Sequence, residues 1–414
     1  MPKRIIVIGG GIVGITTALE LQRRRNSVTI IDPKKPGRET SYGNSGVLSD
    51  GSVVISNNPG LRKKLPKLIL KKSNALNYNI GFILKSVPWV TKFLSYCTDS
   101  HLDHSSRALR SLQSFSLSLH LDLIREANAD SLLRKTGWLK VFRSEASFKS
   151  YDMELRVFKK TGVGHTILNS EQLRNLEPSL NQIFKHGVLL HDACSVSSPS
   201  GLCDAYLSIF EKLGGKVLQA AATTLSYSDG WKVEIKNNHM QEANQVVIAA
   251  GPWSAEIAGK LGYKIPMGWE RGYHIHLNPG LGASLQRVVH DVDGGYVMAP
   301  QKKGVRITSG VELNGRDAKV DEKQIRNSIH SAREALSLGA ELEDSAWMGR
   351  RPTLVDSLPI IDKGSRHDEL WFNFGHQHNG LSTSAGSAII LADLMHGVTP
   401  SIDPSPFRAD RFKI

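Results

Sequence analysis

Cysteine is nearly missing from this sequence. Its 414 residues hold three, Cys97, Cys194 and Cys203, and no two stand in a C-x-x-C pair. An odd, scattered set argues against a disulfide framework or a cysteine-built zinc site, and it fits a reducing compartment. Long hydrophobic runs are missing too, since no stretch reaches the roughly 18 uninterrupted apolar residues of a membrane span. Acid is short relative to base: 39 Asp and Glu stand against 52 Lys and Arg, a formal net charge of +13. Such an imbalance speaks to solubility and anionic surfaces rather than to fold. No region interleaves aromatic and basic residues as nucleic-acid modules do, so nucleic acid is not an expected partner. No internal repeat or low-complexity tract stands out. What remains, 40% hydrophobic residues with 37 glycines, fits a globular α/β or α+β protein, and the length argues for two domains.

Lys3 and Arg4 precede the apolar "IIVIGGGIVGITTALEL", a charge order that signal peptides share. Three consecutive glycines interrupt the run, Glu20 and the arginines at 23–25 end it, and no small-residue cleavage site follows. The expected location is the cytoplasm, or the cytoplasmic face of the inner membrane.

The same stretch carries the strongest motif. "KRIIVIGG" reads as a short buried strand ended by glycine. Gly9, Gly11 and Gly14 follow in G-x-G-x-x-G spacing, then a helical stretch from about Ile12 to Arg25, then a strand "SVTIID" ending at Asp32. In a dinucleotide site Gly9 permits the tight turn, Gly11 lets a pyrophosphate approach the backbone, and Gly14 lets helix and strand pack closely. The helix N-terminus faces the phosphate charge, and Asp32 can accept hydrogen bonds from an adenosine ribose. Beyond Asp32 and Pro33 comes a polar loop, "PKKPGRETSYGNSGVLSDG". Its small hydrogen-bonding residues suit the ribityl chain and second phosphate of a flavin better than a nicotinamide cofactor, although an ordinary surface loop has a similar composition.

"ETSYGNSG" resembles the E-x-S-x-x-N-x-G segment of the FAD-dependent amino-acid oxidoreductases, the family of D-amino-acid dehydrogenase, glycine oxidase and sarcosine oxidase. The likeness runs over nearly the whole chain. "ERGYHI", "WMGRRPTLVDSLPIID" and "SIDPSPFRADRF" look most like the glyphosate-oxidoreductase branch. The resemblance implies non-covalent FAD, because the covalent flavin of sarcosine oxidase needs a cysteine near the G-x-R-P region and none follows Cys203. It implies FAD contacts at Ser41, Asn44 and Gly46, and at Ala250, Gly251 and Trp253 of "VVIAAGPWS". Val217 resembles the residue whose backbone meets the adenine, although read from the chain alone it is a core position. The implied fold is a Rossmann-like FAD-binding domain, discontinuous in sequence (1–56, 186–262, 345–414). Beside it stands a substrate domain (57–185, 263–344) with a large, mostly antiparallel sheet.

From Pro59 to about Leu133 the pattern is helical. Residues 61–94 carry eight Lys or Arg and no acid, interspersed with Leu, Ile, Phe and Trp89. A solvated helical face explains this, and so does a peripheral patch docking on anionic lipid. "GWLKVFRS" and "GVLLHD" read as short strands, residues 216–250 as three or four strands, residues 272–311 as an antiparallel sheet, and residues 321–338 as a helix.

Three segments carry chemistry. The planar fork of arginine suits bidentate binding of a carboxylate, and Arg351 directly precedes Pro352, which restricts its backbone to extended conformations. A structural salt bridge is the other reading. The family's G-x-R-P motif assigns substrate anchoring to the residue matching Arg351, and Arg350 should point elsewhere. In "ERGYHIHL", alternation puts Tyr273, Ile275 and Leu277 on one face and His274 and His276 on the other. The family likeness favours Tyr273 over the substrate, with the histidines on the solvent side. In "NFGHQHNGLSTSAG", Gly375, His376 and Gly380 match the family's G-H-G-x-x-G, Gln377 replaces its middle glycine, and Leu381 and Ser382 precede a helix that begins near Thr383 and is aimed at the flavin. His378 matches a histidine of the glyphosate branch and is placed to reach an anionic substrate tail. No metal site is expected from His376 and His378, since no third and fourth ligands stand near them in sequence.

The resemblance implies hydride transfer from the amine-bearing carbon of a small amino acid to flavin N5, with electrons passing on to oxygen or a quinone. A non-catalytic dinucleotide-binding protein and an NAD-dependent dehydrogenase are the rival readings.

Overall fold

The computed structural model describes residues 2–62, 65, 74–236 and 239–413. Within the basic segment, positions 63–64 and 66–73 therefore lie outside the described residues.

A six-stranded sheet forms the first half. Its spatial order is Lys216–Gln219, Ser27–Asp32, Arg4–Ile8, Gln245–Ile248, Leu370–Phe374 and Ile360–Lys363. The first five strands run parallel and the last is antiparallel. Continuous apolar runs suit these strands because both faces are covered. Ile5 and Val7 pack into one core with the helix Ile12–Arg23, while Ile6 and Ile8 pack into another with Leu225 and Trp231 of a small three-stranded sheet. The helix Gly380–Met395 is buried almost all round, as expected of a helix with no polar stripe. Gly386 lets it approach Ser116 and Leu112 of the long helix Asp99–Glu126.

The second half is an eleven-stranded mixed sheet centred on the long strand Met267–Pro279. Its outer face carries Leu139, Val289, Tyr273, Ile275, Met298 and Ile307, packed against Ile325, Ile329 and Ala332 of the helix Lys323–Ala335.

Several expectations need correction. His186–Leu190 and Trp347–Leu354, expected among the dinucleotide segments, both hydrogen-bond into the eleven-stranded sheet. Five strands, not three or four, occupy residues 216–248. The helix expected near Thr383 begins at Gly380. His274 and His276 do not face solvent: both are buried, because that face of the sheet is covered by the 42–44 loop and Trp347.

Candidate functional site

The two sheets meet across a cavity of about 790 Å³. One wall is built by the glycine turn. Gly9 has φ +111°, and a Cβ there would come 2.5 Å from the Ala249 carbonyl oxygen, so only glycine fits. Gly14 lies behind the wall, where a Cβ would sit 1.9 Å from the Gly9 oxygen; it sets the helix–strand distance rather than touching a ligand. The Ser41 hydroxyl accepts from the Ile12 amide at 2.9 Å, which ties the polar loop to the start of the helix. Asp32 accepts from the amides of Gly10 (2.7 Å) and Lys34 (2.8 Å), and burial pushes its carboxyl above the usual carboxylate range. Pro33, Asn44, Ala250, Gly251 and Trp253 also line this wall.

Gly46 and Val217 are not on it. Gly46 (φ +89°) is the point where the chain crosses Val196, and a Cβ would lie 2.3 Å from that carbonyl. Val217 sits on an edge strand and packs against the first core, while Ala221 and Ala222, a few residues further on, reach the cavity.

The helix Gly380–Met395 opens the adjoining wall. Neither it nor Ile12–Arg23 is capped by the side chain of its own N-cap residue, so apart from the Ile12 amide held by Ser41 the first amides of the two helices are left for a ligand. Gly375, His376, Gly380, Leu381 and Ser382 line the cavity here. Ser382 also pins the chain at 47–49, its hydroxyl accepting from Ser49 N and donating to Val47 O. Both ring nitrogens of His376 and the Gln377 Nε2 are buried with no hydrogen-bond partner. Burial lowers the His376 pKa to about 3, which leaves the imidazole neutral. Gln377 takes φ +51°, as the glycine it replaces readily would.

The inner face of the large sheet is the third wall. Lys140, His290, Val297, Thr308, His274 and Trp347 follow one another across six paired strands in one row of the ladder. Arg351 shares this face two alternations beyond Trp347, opposite Glu270. Gly272 makes room for it, since a Cβ there would lie 2.4 Å from Nη2. Among the described residues the Arg351 guanidinium donates no hydrogen bond and forms no ion pair. Burial lowers its pKa, and the field of Glu270 opposes that shift. Arg350, on the opposite face, is satisfied by the Arg316 carbonyl (2.8 Å) and Asp317 (3.2 Å).

Tyr273 borders the cavity, but its hydroxyl is turned into the outer face. It donates to Glu312, accepts from Arg271 Nη2 at 2.8 Å, and has its pKa raised to about 12 by burial and the Glu312 hydrogen bond. Strand alternation was right and the choice of face was not: the Tyr273 hydroxyl points away, and the side chains that line the cavity come from the face bearing Gly272, Thr308, Trp347 and Arg351. His378 lines the cavity, and its exposed surface there is cavity wall. Burial first, then the fields of Arg351 and Lys140, lower its pKa to about 4.

A family model described as FAD dependent oxidoreductase matches residues 4–394. The chain belongs to the FAD-dependent oxidoreductase family. It is 31% identical to a D-amino-acid oxidase of Bradyrhizobium diazoefficiens over 99% of both chains. It is 29% identical to D-amino acid dehydrogenase 1 of Mesorhizobium japonicum, again over 99% of both. The fold is that of glycine oxidase from Geobacillus kaustophilus, with a TM-score of 0.76, 19% identity and 98% of each chain covered.

The cavity fits FAD. Glycines that a Cβ would block, two open helix N-termini and the orphaned His376 and Gln377 atoms lie on connected walls, as a ligand with a pyrophosphate and a hydrogen-bonding ring system needs. Gly9, Gly11 and the Ile12–Arg23 terminus would hold the pyrophosphate, Asp32 the ribose, and the Gly380–Met395 terminus the flavin ring. No cysteine lines the cavity, and Cys97, Cys194 and Cys203 are all buried elsewhere, so no thiol is available for a covalent link. Among the described residues no cluster could hold a metal ion, and no helix is long and apolar enough to cross a membrane. Reasoning from the sequence missed Lys140, His290 and Trp347. Their strands were legible as strands, but which alternate face looks inward depends on what packs against the sheet.

Proposed function

We propose that this chain oxidises the C–N bond of a small amino acid, either a D-amino acid or an N-substituted glycine. The observation that carries this is Arg351, an unpaired guanidinium on a rigid strand of the cavity wall. Its fork binds the substrate carboxylate through two parallel hydrogen bonds and fixes the neighbouring carbon. When bound, FAD supplies the acceptor for the hydride. The acids lining the cavity, Asp32, Glu39 and Glu256, stand on the cofactor wall, so among the described residues no carboxylate lines the substrate wall to hold the amine as ammonium, and hydride departure needs the neutral amine. The resulting imine takes up water and yields a 2-oxo acid or aldehyde with ammonia or an amine.

The six-stranded half is read as the cofactor domain and the eleven-stranded half as the substrate domain. The likeness to the glyphosate branch belongs to the same reading, and the cations around the cavity support it. Electrons then pass to oxygen or a quinone, which oxygen uptake during turnover distinguishes. The exposed Ile80, Leu84 and Val87, next to Lys85, support peripheral contact with anionic lipid. Holoprotein that stays in the supernatant with anionic vesicles at low salt would remove that contact from the proposal.

The test of the activity is anaerobic titration of the purified yellow protein. D-amino acids or sarcosine are expected to bleach the flavin bands. Bands that persist with every amine would leave an FAD-binding protein without this activity.

A further inference from the structure

We propose that the Lys140 end of the cavity is a subsite for a second anionic group. The substrate is then an amino acid carrying a side-chain carboxylate or phosphonate besides its α-carboxylate. This rests on the function proposed above and narrows it to a substrate class.

Lys140 lies mid-strand on the inner face, its Nζ 2.7 Å from the Tyr151 hydroxyl and 4.6 Å from the centre of the Trp138 ring. The rings of Tyr151 and Phe158 stand at 5.3 and 5.7 Å. One phenol and three rings leave ammonium donors free, and cation–π attraction with the field of Glu154 offsets only part of the cost of removing an ammonium from water. No carboxylate is within ion-pair distance among the described residues. His290, directly opposite on the paired strand, stacks on Trp138 and keeps its Nδ1 without a partner. His378, which lines the same cavity, stands in the fields of both Lys140 and Arg351.

Elsewhere this protein pairs its sequestered cations. Arg271 meets Glu312, Arg287 meets Glu177, Arg143 meets Asp291 and Arg411 meets Asp356. Arg306 is satisfied instead by the carbonyls of Tyr42 and Asn44. The two sequestered cations that form no ion pair among the described residues, Arg351 and Lys140, both line the cavity and feel Glu270 and Glu154 only as fields, and the acids that line it, Asp32, Glu39 and Glu256, belong to the cofactor wall. One ligand with two anionic ends would satisfy both.

The experiment uses holoenzyme with D-glutamate and iminodiacetate as dianionic probes and D-alanine and sarcosine as monoanionic ones. The wild type is expected to favour the dianions in kcat/KM. Lys140→Met should lose roughly 10- to 100-fold on the dianions, as a hydrogen-bonded charge implies, and far less on the monoanions, with FAD content unchanged. Lys140→Arg should restore the preference. Burial lowers the Lys140 pKa to about 8, against the field of Glu154. The dianion advantage is therefore present below that pH and lost as pH rises through it in the wild type, but not in Lys140→Arg. The facing His290 and His378 are already neutral there, and the buried Tyr151 phenol stays protonated. Equal losses on both probe classes, or a wild type that prefers monoanions, would overturn the subsite and leave amine oxidation standing. Failure of all four probes to reduce the flavin would remove the underlying function.

Discussion

The cofactor wall and the substrate wall enclose the same cavity but are built from different materials. On the cofactor side the working groups are backbone: glycines too crowded for a Cβ, and helix amides without caps. On the substrate side they are side chains raised on a sheet face, with Arg351 and Lys140 forming no ion pair among the described residues. A backbone wall recognises what every FAD shares, its phosphates and ring edges, and a single added methyl disrupts it. A side-chain wall can be retuned one residue at a time without disturbing the cofactor, and on the function proposed above substrate choice is assigned to it.

Arg351→Ala should produce the largest effect that separates the walls. Losing a charged bidentate contact implies a fall of roughly 100-fold or more in kcat/KM for carboxylate substrates, while FAD content stays unchanged. Loss of FAD along with activity would mean that the two walls are not independent. Gly14→Ala attacks the other wall. Its Cβ would press 1.9 Å from the Gly9 oxygen, and overpacking of about 1–3 kcal/mol should weaken FAD binding roughly tenfold or more. Equilibrium dialysis of the apoprotein measures this. Reconstituted variant should turn over at close to the normal rate once saturated with FAD. The smallest functional effect is expected from Tyr273→Phe, which tests the two faces of the substrate sheet. Removing the hydroxyl from between Glu312 and Arg271 should cost about 1–3 kcal/mol of stability, read as a lower Tm, with kcat/KM changed least of the three. A collapse of kcat without loss of stability would return Tyr273 to the reaction.

The cofactor wall was legible because its signals are local. Gly9, Gly11, Gly14 and Asp32 lie within one strand–turn–helix–strand unit, and each is demanded by geometry a few residues away. Arg351 was legible for a similar reason, through Pro352 and the chemistry of its own fork. Tyr273 and the neighbouring histidines were not. Alternation divides a strand into two faces with certainty, yet the face that meets the cavity depends on the helix Lys323–Ala335 covering the other one, some fifty residues away in sequence. Val217 and Gly46 show the same limit, since reaching the cavity depends on where the chain crosses, not on residue type.

By itself the sequence determined the dinucleotide turn, the positions of most strands and the arginine suited to a carboxylate, because short-range sterics and hydrogen-bond chemistry dictate them. Only the tertiary structure decided that Lys140, His290, Val297, Thr308 and Trp347 line the cavity in one row on the sheet face that carries that arginine. Six separated strand segments must pair in register before their alternate residues share a wall, and pairing between distant segments is set by the packing of the whole sheet.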